Sequence, residues 1–282
     1  MLVPVEVGKA DPLHLNGRLA CLVRAGKVRG VSQESRHIYA DADALAKAAA
    51  AELLRQAQHA VSEQGIFTLS LAGGSTPRKL YTLLATDPAY RDFPWAQTHL
   101  FFGDERHVPP SHLDSNYLMV SSTLLSTGLV PAANVHRVRT ELPDANMTSA
   151  DYDVEMRTFF NAVLRFNNCP RFDVILLGMG PDGHTASLFP DSKALEEKER
   201  WVVANWVEKF KSFRITFTFP VLNAARSVML LVAGADKADM LHNVLVADRK
   251  SEIYPVQRVQ PLDGTKTWYL DRAVAARVNK TY

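Results

Sequence analysis

The feature that most constrains this chain is a set of short segments with no polar face. Phe172-Asp173-Val174-Ile175-Leu176-Leu177 and Ser227-Val228-Met229-Leu230-Leu231-Val232 are apolar almost throughout. Strands of that kind are buried on both faces, as in parallel sheets covered by helices. Ile66–Leu71 and Thr98–Phe102 read as strands of the same sheet, with further strands at 202–204, 214–219 and 268–270. Between them lie stretches of good helix formers: Asp41 to about Glu63, Pro77 to about Ala85, Ser115 to Leu125, 149 to 166 and Asp236 to about Leu245. Asp41 or Asp43 can cap the first helix and Gly65 can end it. Strands alternating with helices predict an α/β fold, a mostly parallel sheet with helices on both faces. Residues 1–35 show no period and read as an irregular extension. Residues 36–282 read as a single α/β domain, with no repeat or linker to divide them.

Composition excludes several classes. The 32 basic and 30 acidic residues nearly cancel, so no broad field favours nucleic acid or an anionic membrane. No apolar run is long enough to span a bilayer. The start has no secretory pattern, and a cytoplasmic location is expected. Cys21 and Cys169 are far apart and form neither a disulfide framework nor a metal-ligand pattern. No metal and no cofactor is expected. The chain reads as a monomer or small homo-oligomer.

Three loops follow strands, at the sheet edge where open α/β folds bind ligands. The first is Ala72-Gly73-Gly74-Ser75-Thr76-Pro77. Its glycines allow close backbone approach, Ser75 and Thr76 can cap a helix or bind an anion, and Pro77 suits a first helical position. Amides at such a helix start favour a phosphate. The second is Gly103-Asp104-Glu105-Arg106-His107-Val108-Pro109, with Asp114-Ser115-Asn116-Tyr117 positioned to cap the next helix. The third, Gly178-Met179-Gly180-Pro181-Asp182-Gly183-His184, continues through Thr185 to Phe189-Pro190. Its glycines and proline impose an unusual backbone path, and a histidine beside a carboxylate can take a proton from water. Lys209, Lys211, Arg214 and Lys237 lie near strand ends and offer cations for an anionic ligand.

In that order, these segments resemble the glucosamine-6-phosphate isomerase/6-phosphogluconolactonase family, from about residue 36 to the end. The resemblance implies a Rossmann-like, doubly wound fold and no nucleotide. It implies hydrolysis of 6-phospho-D-glucono-1,5-lactone to 6-phospho-D-gluconate, a step of the oxidative pentose phosphate pathway. Isomerase members carry Glu-Pro where this chain has Phe189-Pro190, and an aromatic residue where it has Arg106. Phe189 cannot move a proton, so the lactonase branch fits better than an isomerase or deaminase. A sugar-phosphate sensor on the same fold would carry a DNA-binding module, and none is legible here. The resemblance implies a phosphate site of Gly73, Gly74, Ser75, Thr76, Arg214 and Lys237. It implies His184 as general base, oriented by Asp182. Asp104 shapes the pocket, and Arg106 or the amides of Gly180 to Gly183 stabilise the oxyanion.

Overall fold

The computed structural model describes residues 33–163, 169–246 and 254–280. In chain order these form β1 (Gln33–Tyr39), α1 (Ala42–Gln64), β2 (Phe67–Leu71), α2 (Ser75–Thr86), β3 (Thr98–Phe102), β4 (Asp104–Arg106), α3 (Asn116–Thr123) and β5 (Val135–His136). There follow α4 (Ala145–Val163), β6 (Val174–Leu177), β7 (Val202–Val207), β8 (Ser212–Phe217), α5 (Phe219–Ala224), β9 (Ser227–Val232), α6 (Ala238–Val246) and β10 (Thr265–Asp271). The irregular extension expected over residues 1–35 lies almost wholly outside the described residues. Its last three residues, Gln33–Ser35, open β1.

The main sheet has seven strands in the order β1-β10-β9-β6-β2-β3-β5, and its pairings are parallel. β2, β6 and β9 are buried along their whole length, as strands covered on both faces must be. α1 packs across β1, β10 and β2. Its start is capped by the Asp41 carboxylate, which accepts from the amides of Asp43 and Ala44, and Gly65 ends it in the left-handed conformation.

The chain runs outward from β2 through β3 to β5, then returns to the other side of β2 with β6, β9 and β10. β2 and β6 are therefore the neighbours at which the winding reverses, and the loops after them diverge. Such a switch point opens a crevice at the carboxyl ends of the strands.

One strand expectation is corrected. Residues 202–204 and 214–219 were expected to extend the parallel sheet. β7 and β8 instead form a separate antiparallel sheet with β4, in the order β4-β8-β7. The two sheets meet at Gly103, whose N–H donates to Leu71 C=O at 3.0 Å while its C=O accepts from Phe217 N–H at 2.9 Å. A Cβ there would stand 3.0 Å from Ser70 Oγ, so a larger residue would wedge the seam.

Candidate active site

The crevice is a cleft of about 300 Å³ lined by all three glycine-bearing loops, with Asn116, Phe210, Arg214 and Lys237. Buried tyrosines fix the strand ends that feed it. Tyr81 Oη donates to Ala72 C=O and accepts from Ala72 N–H, both at 2.9 Å. Tyr152 Oη accepts from Phe102 N–H at 2.8 Å. Burial raises both phenols well above the ordinary tyrosine range, so they stay neutral donors.

In the first loop, Gly74 takes φ +105° and starts α2 at Ser75, two residues before the position expected from Pro77. Ser75 and Thr76 are therefore the first residues of the helix rather than its cap. Their amides fall in the first turn, where no intrahelical acceptor exists. Gly73 admits no side chain, because a Cβ would lie 2.7 Å from Asn116 Cγ and closer still to its Oδ1.

In the second loop, β4 pairs with β8 so that Arg106 stands opposite Arg214. Successive strand residues face opposite sides. Asp104 and Arg106 line the cleft, while Glu105 is buried behind it at 2% exposure. Glu105 Oε1 accepts from the amides of Arg106 and Asn116, both at 2.7 Å. Its Oε2 accepts from Tyr117 N–H at 2.7 Å and from Ser115 Oγ at 3.2 Å. Burial pushes the Glu105 carboxyl above its ordinary range, against these amide bonds. Arg214 has a buried Nε with no hydrogen-bond partner. Burial, and next the Arg106 charge, lower its pKa, although guanidinium remains the form present near neutrality. Two facing arginines, one with an unpartnered buried donor, suit an anionic group. Lys237 reaches the cleft from the turn after β9, and that turn is held by Asp271, which accepts from Gly234 N–H at 3.1 Å.

In the third loop, His184 Nδ1 and Asp182 Oδ1 make a close hydrogen bond. Burial alone would raise the Asp182 carboxyl, but the hydrogen bond and charge of His184 together hold it below its ordinary value. Lys209 Nζ lies 3.6 Å from the other Asp182 oxygen. The imidazole stacks on Phe189, with ring centroids 4.0 Å apart, and Phe210 meets Phe189 edge-on at 5.8 Å. Ser187 Oγ donates to Asp104 Oδ2 at 2.6 Å, joining the second and third loops. Gly180 N–H already donates to His184 C=O at 2.9 Å and Gly183 N–H to Gly180 C=O at 3.1 Å. Those two amides are engaged within the loop.

The ten residues that the resemblance assigns line or adjoin one cleft: Asp104, Arg106, Asp182 and His184, with Gly73, Gly74, Ser75, Thr76, Arg214 and Lys237, whereas Lys211 pairs with Glu208 and does not line it. Asn116, Ser187, Phe210 and buried Glu105 were not singled out. The signal for Asn116 was its place in the run Asp114-Ser115-Asn116-Tyr117, read only as a cap. Among the described residues, no group of three or more His, Cys, Asp or Glu side chains is arranged to hold a metal ion.

The constellation joins a histidine–carboxylate pair to clustered basic side chains in one cleft of an α/β fold. Residues 40–268 match the family of glucosamine-6-phosphate isomerases and 6-phosphogluconolactonases, and the chain belongs to that family. Its relatives within it carry the lactonase name. The 6-phosphogluconolactonase of Nostoc sp. is 40% identical over 227 residues, 80% of this chain and 91% of the relative. That of Haemophilus influenzae is 35% identical, covering 73% of this chain and 84% of the relative. The solved 6-phosphogluconolactonase of Trypanosoma brucei superposes with TM-score 0.76 at 26% identity, covering 88% of this chain and 99% of that one.

Proposed function

We propose that this protein hydrolyses 6-phospho-D-glucono-1,5-lactone to 6-phospho-D-gluconate, in the oxidative branch of the pentose phosphate pathway and in the cytoplasm. The observation that carries this reading is the join of two features in one cleft. His184 is held by Asp182 and backed by Phe189, and it faces an anion site built from Arg214, Lys237 and the first turn of α2. Phe189 supplies no carboxylate for opening a sugar ring, so the histidine is left with water.

The phosphate sits on the amides of Ser75 and Thr76, with Gly73 and Gly74 leaving room for it and Arg214 and Lys237 balancing its charge. Anchoring that remote group places C1 at the third loop, and correct placement supplies much of the rate. Asp182 holds Nδ1 of His184, which leaves Nε2 as the basic atom. Nε2 takes a proton from water as the water oxygen bonds to C1. The carbonyl oxygen becomes an oxyanion. With the amides of Gly180 and Gly183 engaged in the loop, Arg106 is the group we assign to it. The C1–O bond to the ring then breaks, and protonated His184 returns its proton to the leaving ring oxygen. Asp104, tied to Ser187 and Asn116, keeps the second and third loops in register.

The test is turnover of fresh lactone, followed by coupling product to its dehydrogenase with spontaneous hydrolysis subtracted. His184→Ala should lose most of kcat, about 10²-fold or more for a general base, while still binding 6-phosphogluconate. Turnover near wild type would remove His184 from this role. Turnover of glucosamine 6-phosphate in place of the lactone would overturn the whole reading.

A further inference from the structure

Glu105 stands between the two charged residues of the proposed site yet touches no ligand space. It is buried to 2% exposure, and no Lys, Arg or His pairs with it among the described residues. Burying a carboxylate without a cation is costly unless several donors meet it. Four do, and they are unevenly informative. Oε2 takes Tyr117 N–H and Ser115 Oγ, which a cap for α3 would need. The α3 start already has Ser115 as its own cap, accepting from Leu118 N–H at 3.2 Å. Oε1 goes beyond a cap: besides Asn116 N–H, the first amide of α3, the same oxygen accepts from Arg106 N–H.

That shared oxygen ties the backbone of Arg106 to the first residue of α3. The guanidinium of Arg106 is tied to the residues just before that helix start, since its Nη1 donates to Asp114 C=O in a close contact. Arg106 is therefore held at both ends by one segment, and Glu105 sets the spacing between its backbone and that segment. Asn116 is drawn into the same arrangement. Its Nδ2 donates to Asp104 C=O at 2.9 Å, and its amide group lies against Gly73 of the phosphate loop. Burial and the Arg106 charge lower the Arg214 pKa, and the Glu105 charge joins those of Asp104 and Asp114 in opposing that shift.

We infer that Glu105 is a positioning residue that aims Arg106 at the substrate, through the hydrogen bonds that join β4 to the start of α3. The inference rests on the lactonase reading. Wild-type turnover decides that reading by itself, and a double-mutant cycle then decides this one.

The cycle combines Glu105→Gln with Arg106→Ala. Glutamine keeps the shape but replaces one acceptor oxygen by a donor. With Arg106 present, Glu105→Gln should lower kcat/KM about 30-fold, the scale of a sub-ångström misplacement. In the Arg106→Ala background the same change should cost at most about threefold, because the group it positions is gone. A helix-capping role alone would cost the same factor in both backgrounds, and that result overturns the inference. Should Glu105→Gln fail to fold, Glu105→Asp replaces it under the same criterion, keeping the charge but shortening the reach. Should the wild type show no lactone turnover, the cycle is read on the Kd for 6-phosphogluconate. Coupling between the two positions again supports the inference, and additivity overturns it.

Discussion

Gly180→Ala is the sharpest probe of the histidine's placement. Gly180 has no left-handed φ, so its backbone accepts alanine. The difficulty is space. The new Cβ would stand 2.8 Å from His184 Nε2 and closer still to Cε1 and Nδ1, whereas ordinary contact begins at 3.4 Å. The ring must retreat by 0.6 Å at Nε2, the difference of those two distances, and by more at the other atoms. It cannot slide back freely, because Phe189 stacks on it at 4.0 Å and Asp182 holds Nδ1. A catalytic group moved by about 1 Å costs on the order of 10² in rate. That corresponds to about 2.7 kcal/mol of transition-state stabilisation. The Gly73–Thr76 loop is untouched, so KM should move by no more than about threefold, the scale of a change of about 0.65 kcal/mol. Overpacking costs about 1–3 kcal/mol, which lowers Tm by roughly 2–12 °C for a chain of this size. The assay is steady-state lactone hydrolysis beside a thermal melt and 6-phosphogluconate binding. A folded variant with kcat within about threefold of wild type would refute the claim that the imidazole must stand where Gly180 lets it.

Three further outcomes follow from the same geometry. Asp271→Asn replaces one acceptor oxygen with a donor near the amides of Gly234 and Val274, loosening the turn that carries Lys237. KM should rise about five- to tenfold, as for one weakened hydrogen bond, with kcat nearly unchanged, and a kcat loss without a KM rise would contradict it. Phe210→Ala removes the outer wall against Phe189 and the face over which Arg214 lies at 5.1 Å. The expected result is a higher KM in steady-state assays, since the ring's contribution to holding Arg214 is lost. Glu197 is the pH probe. Burial raises its carboxyl, but the amides of Arg200 and Glu199 and the Arg200 guanidinium outweigh that and bring it down to about 2. Its contribution is therefore complete above the ordinary glutamate pKa and fades as pH falls toward about 2. Melts of Glu197→Gln against wild type should differ near neutrality and converge in acid, and a gap that widens in acid would reverse the assigned sign.

The central strands were legible because their burial on both faces writes an unbroken apolar run into the chain. β1 was not, for the opposite reason. Gln33-Glu34-Ser35-Arg36-His37-Ile38-Tyr39 is an edge strand with much of its surface open, so its parallel register with β10 leaves no hydrophobic period to read. β4 is three charged residues, and it becomes a strand only through pairing with β8, more than a hundred residues later. The same non-local pairing explains why β7 and β8 were placed in the wrong sheet. Within the site, the His184–Asp182 pair and the glycine loops were visible as local patterns. Glu105 was not, since a charged residue between Asp and Arg reads as solvent-facing until strand alternation turns it inward. The start of α2 was displaced because the left-handed φ of Gly74, rather than Pro77, decides where the helix begins.

The seam at Gly103 has a consequence for what this cleft rewards. The Gly73–Thr76 loop hangs from the parallel sheet, whereas Arg106 and Arg214 belong to the antiparallel one, and Gly103 bonds to both sheets. In the proposed binding mode the whole substrate would act as a double staple across that joint, once at its phosphate and once at its carbonyl. On the proposed reading inorganic phosphate already fastens both halves, through the first turn of α2 and Arg214, while an unphosphorylated lactone would fasten them only through His184 and Arg106. The free energy of the whole molecule should therefore exceed the sum for its fragments, as when two tethered modules bind together. Selectivity here is a matter of span, measured by the distance between a phosphate and a carbonyl on one small molecule.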